Sequence, residues 1–529
     1  MLVVVFLRVV GLSKNIVNLH RLELIQATTP SKGSLAYIKN THMRKTYILI
    51  ILFIIIGFQA KAQIFEVSFD SNVMLEEYSG NVLLYLSKEK KSPKDIFVGL
   101  ELTPVYRVVV KNLKANESVI FNDNAISYPV ELSNIERGEY YVQAVFDLNL
   151  GDANIGTSSG NLYSEPIKID LTKDFDKIFK LKANKVIQPI KFNETEFLKE
   201  LSVKSNLLSQ FHKKDIFVNA AVSLPKEYYE QPDKDYPVIF SIFGFGANYK
   251  LHSGRNTFLE QLGEQPTIVI YLDGNCPEGH STYANSDVNG PWGDALINEF
   301  IPALKQKYRT NGAFLLHGHS SGGWTSLWLQ INYPKTFAGA WSSAPDQVDF
   351  RNYQNKNIYD TNNMFYDAKG NLLADVTIAG RFPVISAKDF YRTENVIYRG
   401  SQLRSFDAVF GGFDNDGNRI RLVNIPSGEI NKNAIPLWRR YDLSIILRDN
   451  WSNIKDDLTG KIRITVGTSD NFHLHHAVKL LEKEMKSIDA NIEFEYYAGD
   501  HFTLFTEEYK NDGINFLLKN YENWLNENK

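Results

Sequence analysis

The chain has 529 residues, with 58 Lys and Arg against 61 Asp and Glu and a formal net charge of −3. That length exceeds what one ordinary core supports, so at least two domains are expected, one of them carrying a large insertion. A pI near 6.4 leaves no basic face for nucleic acid, and the single cysteine, Cys276, excludes an intramolecular disulfide and a cysteine-based zinc site.

From Met43 the chain reads "MRKTYILIILFIIIGFQAKAQ". Arg44 and Lys45 form a charged start, Ile48–Phe58 an apolar core, and Ala60-Lys61-Ala62 a small-x-small cleavage site before Gln63. The apolar core is about 11 residues, short of the roughly 20 that span a bilayer, so residues 43–62 read as a secretory signal peptide. Residues 1–42 read as an upstream start assigned in error, with Met43 the true start. The alternative is an anchor with two apolar stretches, because Leu2–Val10 is apolar too. The expectation is a periplasmic or secreted protein with no stable membrane insertion after signal cleavage.

Short β-like runs follow at Ile64–Phe69, Asn81–Ser87, Tyr106–Leu113, Ser118–Asn122, Glu139–Asp147 and Pro166–Leu171. They are rich in Val, Tyr and Phe and are broken at fairly regular spacing, which predicts an all-β, Ig-like sandwich over residues 63–185. No acid–base cluster falls within it, so its chemistry is limited to binding and it is expected to fold separately. Residues 186–213 read as a linker.

From residue 214 the pattern changes to strands alternating with helices. Pro237–Phe243 and Thr267–Leu272 read as buried parallel strands, Trp292–Tyr308 as a helix, and Phe337–Ala344, Lys461–Val466 and Asn491–Tyr497 as further strands. Val478, Leu481 and Met485 recur at helical spacing between the last two. This alternation predicts an α/β domain over 214–345 and 456–529, with a parallel sheet covered on both faces. Between Pro345 and Lys461 the alternation stops for far longer than a loop runs, so residues 346–455 are expected to fold as a cap insertion.

The chemistry centres on Phe314–Trp328, "FLLHGHSSGGWTSLW". In isolation Gly318-x-Ser320-x-Gly322 is only a polar turn. Between a strand and a helix it is a nucleophile elbow, in which small flanking residues let a sharp turn hold the serine hydroxyl clear of the sheet. Serine needs a base to take its proton, and the base needs an acid to fix its tautomer. Only His501 follows the final strand. His473, His475 and His476 open the preceding helix and read as surface or packing residues. Asp470, at the end of the penultimate strand, is the expected acid. Asp500 is the rival, but its side chain and that of its neighbour His501 should point apart. The loop "SIFGFGANY" carries Gly244 and Gly246, where backbone can approach a substrate closely. The oxyanion donors are then the N–H groups of Phe245 and Ser321.

Other signals are weaker. "DNDGN" (Asp414–Asn418) resembles the start of a calcium loop, but its twelfth position is Ile425, where a bidentate Glu is required; a hairpin turn fits better. Cys276 has no adjacent base and reads as packing. Trp438 and Tyr441 in "PLWRRYD" belong either to the core or to a pocket wall. Nothing in the pattern calls for a metal or cofactor.

Together "GHSSGG", "FGFG", "VGTSDNF" and "AGDHF" resemble the esterase D (S-formylglutathione hydrolase) and feruloyl esterase branch of the α/β-hydrolases. Gly279–Pro302, "GHSTYANSDVNGPWGDALINEFIP", is similar to a stretch of secreted members with an N-terminal β domain. The resemblance covers about residues 215–345 and 455–525. It implies an α/β-hydrolase fold and a serine esterase, with nucleophile, acid and base on Ser320, Asp470 and His501 and oxyanion donors on Phe245 and Ser321. One departure is Phe243-Gly244, where many α/β-hydrolases have His-Gly. The export signal, β domain and aromatic cap suggest acylated polysaccharide as substrate. An acyltransferase, a peptidase and a non-catalytic glycan-binding protein on a hydrolase scaffold remain the alternatives.

Overall fold

The computed structural model describes residues 63–96, 102–255 and 261–529. The signal-peptide and upstream-start readings fall outside these residues. Among the described residues no helix is long and apolar enough to cross a membrane.

The N-terminal region forms nine strands: β1 Ile64–Phe69, β2 Tyr78–Ser87, β3 Val105–Leu113, β4 Val119–Phe121, β5 Ile126–Tyr128, β6 Glu139–Phe146, β7 Leu162–Ser164, β8 Ile167–Asp170 and β9 Ile178–Val186. They join in the order β4-β1-β9-β7-β6-β2-β3-β5, with β8 also pairing to β6. Alternation sets the inward face: in β1, Phe65, Val67 and Phe69 are buried while their neighbours are half-buried. They share one apolar cluster with Tyr106, Phe121 and Phe146. Three strands escape the sequence pattern. β5 and β7 are too short for alternation to register, and the largely exposed β9 is studded with lysines. Two of those lysines, Lys180 and Lys182, pair with Glu66 of β1 and with Asp70 just beyond it.

A second, eight-stranded sheet carries the α/β portion. Its strands are β10 Leu198–Ser205, β11 Ile216–Ser223, β12 Tyr236–Ile242, β13 Ile268–Leu272, β14 Thr310–His319, β15 Gly339–Ser343, β16 Ile462–Gly467 and β17 Glu493–Tyr497, in the order β10-β11-β13-β12-β14-β15-β16-β17. From β13 to β17 neighbouring strands are parallel. β10 and β11 are antiparallel additions at one edge. The linker reading of 186–213 is therefore corrected: β10 and the helix Asn206–His212 belong to this sheet and its covering. An edge strand with a solvated face, "LKELSVKS", looks from sequence like a polar connector. The central strands β12 and β13 are buried throughout, as their apolar runs require.

The insertion folds as helices Ala387–Ile397, Gln402–Phe410 and Leu443–Leu458 and a hairpin of Ala374–Ile378 with Phe382–Ser386. It shares an apolar core with Ile462, Ile464 and Val466 of the sheet. Trp438 is 1% exposed, packed against Phe350, Tyr353 and Phe410, and Tyr441 stacks on Trp328 at 5.3 Å. Both are core residues rather than a pocket wall. At "DNDGN" the Asp414 carboxylate accepts from the N–H groups of Asp416 and Asn418, closing the turn between the paired segments Gly412–Phe413 and Arg419–Ile420.

The β domain is docked on the cap. The Arg399 guanidinium grips the Asp147 carboxylate two-handedly, Nη2 to Oδ1 at 2.5 Å and Nε to Oδ2 at 2.6 Å. The pair is 5% and 0% exposed at its side chains. Around it, Leu83, Tyr85, Ile96 and Val105 form one apolar cluster with Val396 and Ile397. Gly400 lies so close to the Ala153 carbonyl that a Cβ there would sit 1.7 Å from its oxygen. Removing one partner from such a buried pair strands the other charge. Arg399→Ala is expected to cost about 3–5 kcal/mol in urea unfolding, whereas Lys88→Ala, in the exposed pair with Glu136, should change stability by less than about 0.5 kcal/mol.

Candidate active site

β14 ends at His319 and the helix Ser321–Asn332 begins two residues later, so Ser320 alone makes the turn. Its backbone sits at φ 60° and ψ −124°, a strained conformation for a residue with a side chain. Two close approaches make the turn possible. A Cβ on Gly322 would lie 2.0 Å from the Ile242 carbonyl oxygen, and one on Gly318 2.1 Å from that of Gly322. Backbone bonds then fix the serine: its N–H donates to Ser343 O at 2.9 Å, and its carbonyl accepts from the N–H groups of Trp324 and Asp346.

The loop after β12 reaches this elbow. A Cβ on Gly244 would be 3.1 Å from Ser320 Cβ, so the backbone leading into Phe245 passes beside the serine. Ser321 is the first residue of its helix, where N–H groups have no intrahelical acceptor and carry the positive end of the helix dipole. The structure thus brings the segments holding both expected donors to one place.

His501 Nδ1 lies 2.7 Å from Asp470 Oδ2, and both side chains are almost fully buried. The other carboxylate oxygen, Oδ1, accepts from the N–H groups of Phe472 at 2.9 Å and Leu474 at 3.3 Å. The His501 N–H donates to Asn471 Oδ1, and Asn471 Nδ2 donates to Thr377 O of the cap hairpin. With Nδ1 committed to Asp470, Nε2 is the ring nitrogen left for proton transfer. The ring is 4.5 Å, centroid to centroid, from that of His319, the residue preceding the elbow serine. Asp500 is spent elsewhere: its Oδ1 accepts from the Phe502 N–H and from Thr503 Oγ1 at 2.7 Å.

The remaining candidates are inert. His473 and His475 are buried, and desolvation pushes both down to about 4, so they pack as neutral rings. Burial pushes the Cys276 thiol up to about 12, far from a thiolate.

Sequence reasoning missed Asp346, at the end of "WSSAPD". Ser321 Oγ donates to its Oδ2 at 2.6 Å, and Ser320 supplies a further side-chain hydrogen bond. Burial pushes its carboxyl from an ordinary 3.8 up to about 6, against the pull of the two serines and of His501. Its side-chain partners are two serines of the elbow, so no spacing rule marked it; its place just beyond β15, on the elbow's side of the sheet, was the clue.

Residues 215–507 match the model of the Esterase family, described as "Putative esterase". The chain belongs to this family. It is a carboxylic ester hydrolase on the α/β-hydrolase fold. The match spans the sheet from β11 onward and the cap, and leaves the β domain outside. No curated protein matches the chain. Similar solved structures include a ferulic acid esterase, at 11% identity over 62% of this chain and 100% of that one, TM-score 0.37. An S-formylglutathione hydrolase from Agrobacterium tumefaciens has 15% identity over 63% and 98%, TM-score 0.36. The fluorophosphonate-binding serine hydrolase F of Staphylococcus aureus has 16% identity over 61% and 98%, TM-score 0.37.

Asp346 gives this esterase a pH-dependent stability. Its folded-state value exceeds the unfolded one, so the native state holds the proton more tightly. That contribution is intact below about pH 4 and is lost as pH rises through about 6. Asp346→Asn keeps an acceptor for Ser321 and removes the buried charge. It should raise stability by roughly 2 kcal/mol at pH 7.5 and by much less at pH 4, read from denaturant unfolding at the two pH values.

Proposed function

We propose that this esterase works through Ser320 as nucleophile, His501 as general base and Asp470 as the acid that orients it, with the N–H groups of Phe245 and Ser321 as the oxyanion hole. The observation that carries the reading is the 2.7 Å contact between His501 Nδ1 and Asp470 Oδ2, on a ring 4.5 Å from that of His319, the residue before the strained elbow serine. His501 Nε2 takes the Ser320 proton as Oγ attacks the ester carbonyl. The two N–H groups receive the oxygen as it becomes an oxyanion. Collapse of the tetrahedral intermediate expels the alcohol, which leaves with the proton from Nε2. Water then repeats the sequence on the acyl-enzyme.

Asp346 is a positioning residue in this scheme. Its bond to Ser321 Oγ fixes the first residue of the helix, whose N–H meets the oxyanion. The substrate class that fits best is an acylated glycan met outside the cytoplasm, in the periplasm or after secretion. This rests on the signal-like segment 43–62 and on an N-terminal β domain that we read as an Ig-like sandwich. Residues 198–345 and 456–529 form the catalytic unit and 346–455 its cap.

On 4-nitrophenyl acetate, Ser320→Ala and His501→Ala are each expected to lower kcat by about 10^4-fold or more without changing the unfolding midpoint by a comparable measure. Retention of more than about a tenth of the wild-type rate by Ser320→Ala would end the elbow reading. Asp470→Asn should cost on the order of 10^3–10^4-fold by leaving the imidazole in the wrong tautomer, and Asp500→Asn less than about tenfold. The reverse ranking would move the acid to Asp500.

A further inference from the structure

A cavity of about 210 Å³ lies where the β domain, the α/β portion and the cap meet. Asp152 and Asn154 come from the β domain, Phe245, Lys250 and Asp273 from the α/β portion, and Ser401 from the cap. Phe245 is thus shared: its backbone belongs to the loop beside Ser320 while the residue also walls the cavity. The β-domain wall is held in place, because Arg399, anchored on Asp147, also donates from Nη2 to the Asn149 carbonyl at 2.6 Å and from Nη1 to that of Asp152.

The lining selects among ligands. Two carboxylates, Asp152 and Asp273, face the space near enough for each to feel the other's charge, and Lys250 partly offsets them. An anion is repelled, and a cation meets a lysine already in place. The Asp152 carboxylate accepts hydrogen bonds, Lys250 only donates, Asn154 does both, and Asp273, pushed up to about 7 by burial, can do either. That mixture suits a neutral ligand with many hydroxyl groups. Tyr85, Ile96 and Ile397 supply apolar surface in the same cavity, which suits the C–H face of a pyranose ring.

We propose that this cavity binds the sugar of an acylated glycan while its acyl carbonyl lies at Ser320, so that the β domain forms part of the substrate site. The proposal rests on the esterase reading above. It gives the β domain a task beyond stability and explains why that domain is bolted to the cap at the point where the cavity forms.

The test uses the full chain and the single changes Asp152→Ala, Asn154→Ala and Lys250→Ala, which draw on two separate walls. Specificity is read as kcat/KM for acetylated xylotriose, cellotriose and mannotriose against that for 4-nitrophenyl acetate. At least two of the changes should lower kcat/KM for the best acetylated trisaccharide about tenfold more than for the aryl ester, through KM. In parallel, Ser320→Ala protein is titrated calorimetrically with the unacetylated trisaccharides, and binding should weaken on the same substitutions. Parallel losses on both ester types, no loss on either, or no heat with any trisaccharide would each overturn the proposal. If the wild-type protein cleaves no ester at all, the esterase mechanism fails, and calorimetry alone still decides whether the cavity takes sugar.

Discussion

The site depends on how closely two stretches of backbone approach each other. The start of the helix after the elbow packs against the end of β12 with no room for a side chain between Gly322 and the Ile242 carbonyl. That contact sets the helix N-terminus over the C-terminal edge of the sheet, forces Ser320 to positive φ, and brings the Gly244 loop beside it. The strain, of order 1–3 kcal/mol for such a conformation, is offset by backbone bonds from Ser320 to Ser343, Trp324 and Asp346. A bulkier residue at either glycine would move every reacting group at once.

Three carboxylates stand near the histidine and the serines, and their hydrogen bonds separate their roles. Asp470 is met by two backbone N–H groups and a ring nitrogen, which fix its carboxylate against His501. Asp500 is consumed by its own turn. Asp346 has hydroxyl donors and no backbone N–H on its carboxylate oxygens, and its proton affinity rises with its burial. Active sites often hold a group whose ionisation weakens the fold, and Asp346 has that character.

The residues proposed for the serine chemistry were legible because strand–helix alternation fixes the order in which the edge of the sheet receives the loops that carry them. Ser320, Asp470 and His501 each follow a strand whose apolar run is unmistakable. Asp346 was not legible, since its partners are two serines of the elbow itself and no spacing rule links them. The strands β5, β7, β9, β10 and β11 were missed for a different reason. They are short, or solvated on one side or at one end, so packing rather than periodicity makes them strands. The Arg399–Asp147 grip was beyond reach, because an ion pair between residues 252 apart in sequence leaves no local trace.

The same separation has a consequence for how the chain acquires its structure. Leu83, Tyr85, Ile96 and Val105 are synthesised early, yet the residues that cover them, Val396 and Ile397, emerge some three hundred positions later. During that interval the newly made β domain carries an uncovered apolar face and an Asp147 without its arginine. Contacts of such long sequence separation form late, after costly loop closure, and exposed apolar surface in the meantime invites association. Biogenesis of this chain is therefore most vulnerable after its first domain has folded and before its cap has arrived, a window in which a holdase chaperone would act on the same surface that the cap finally occupies.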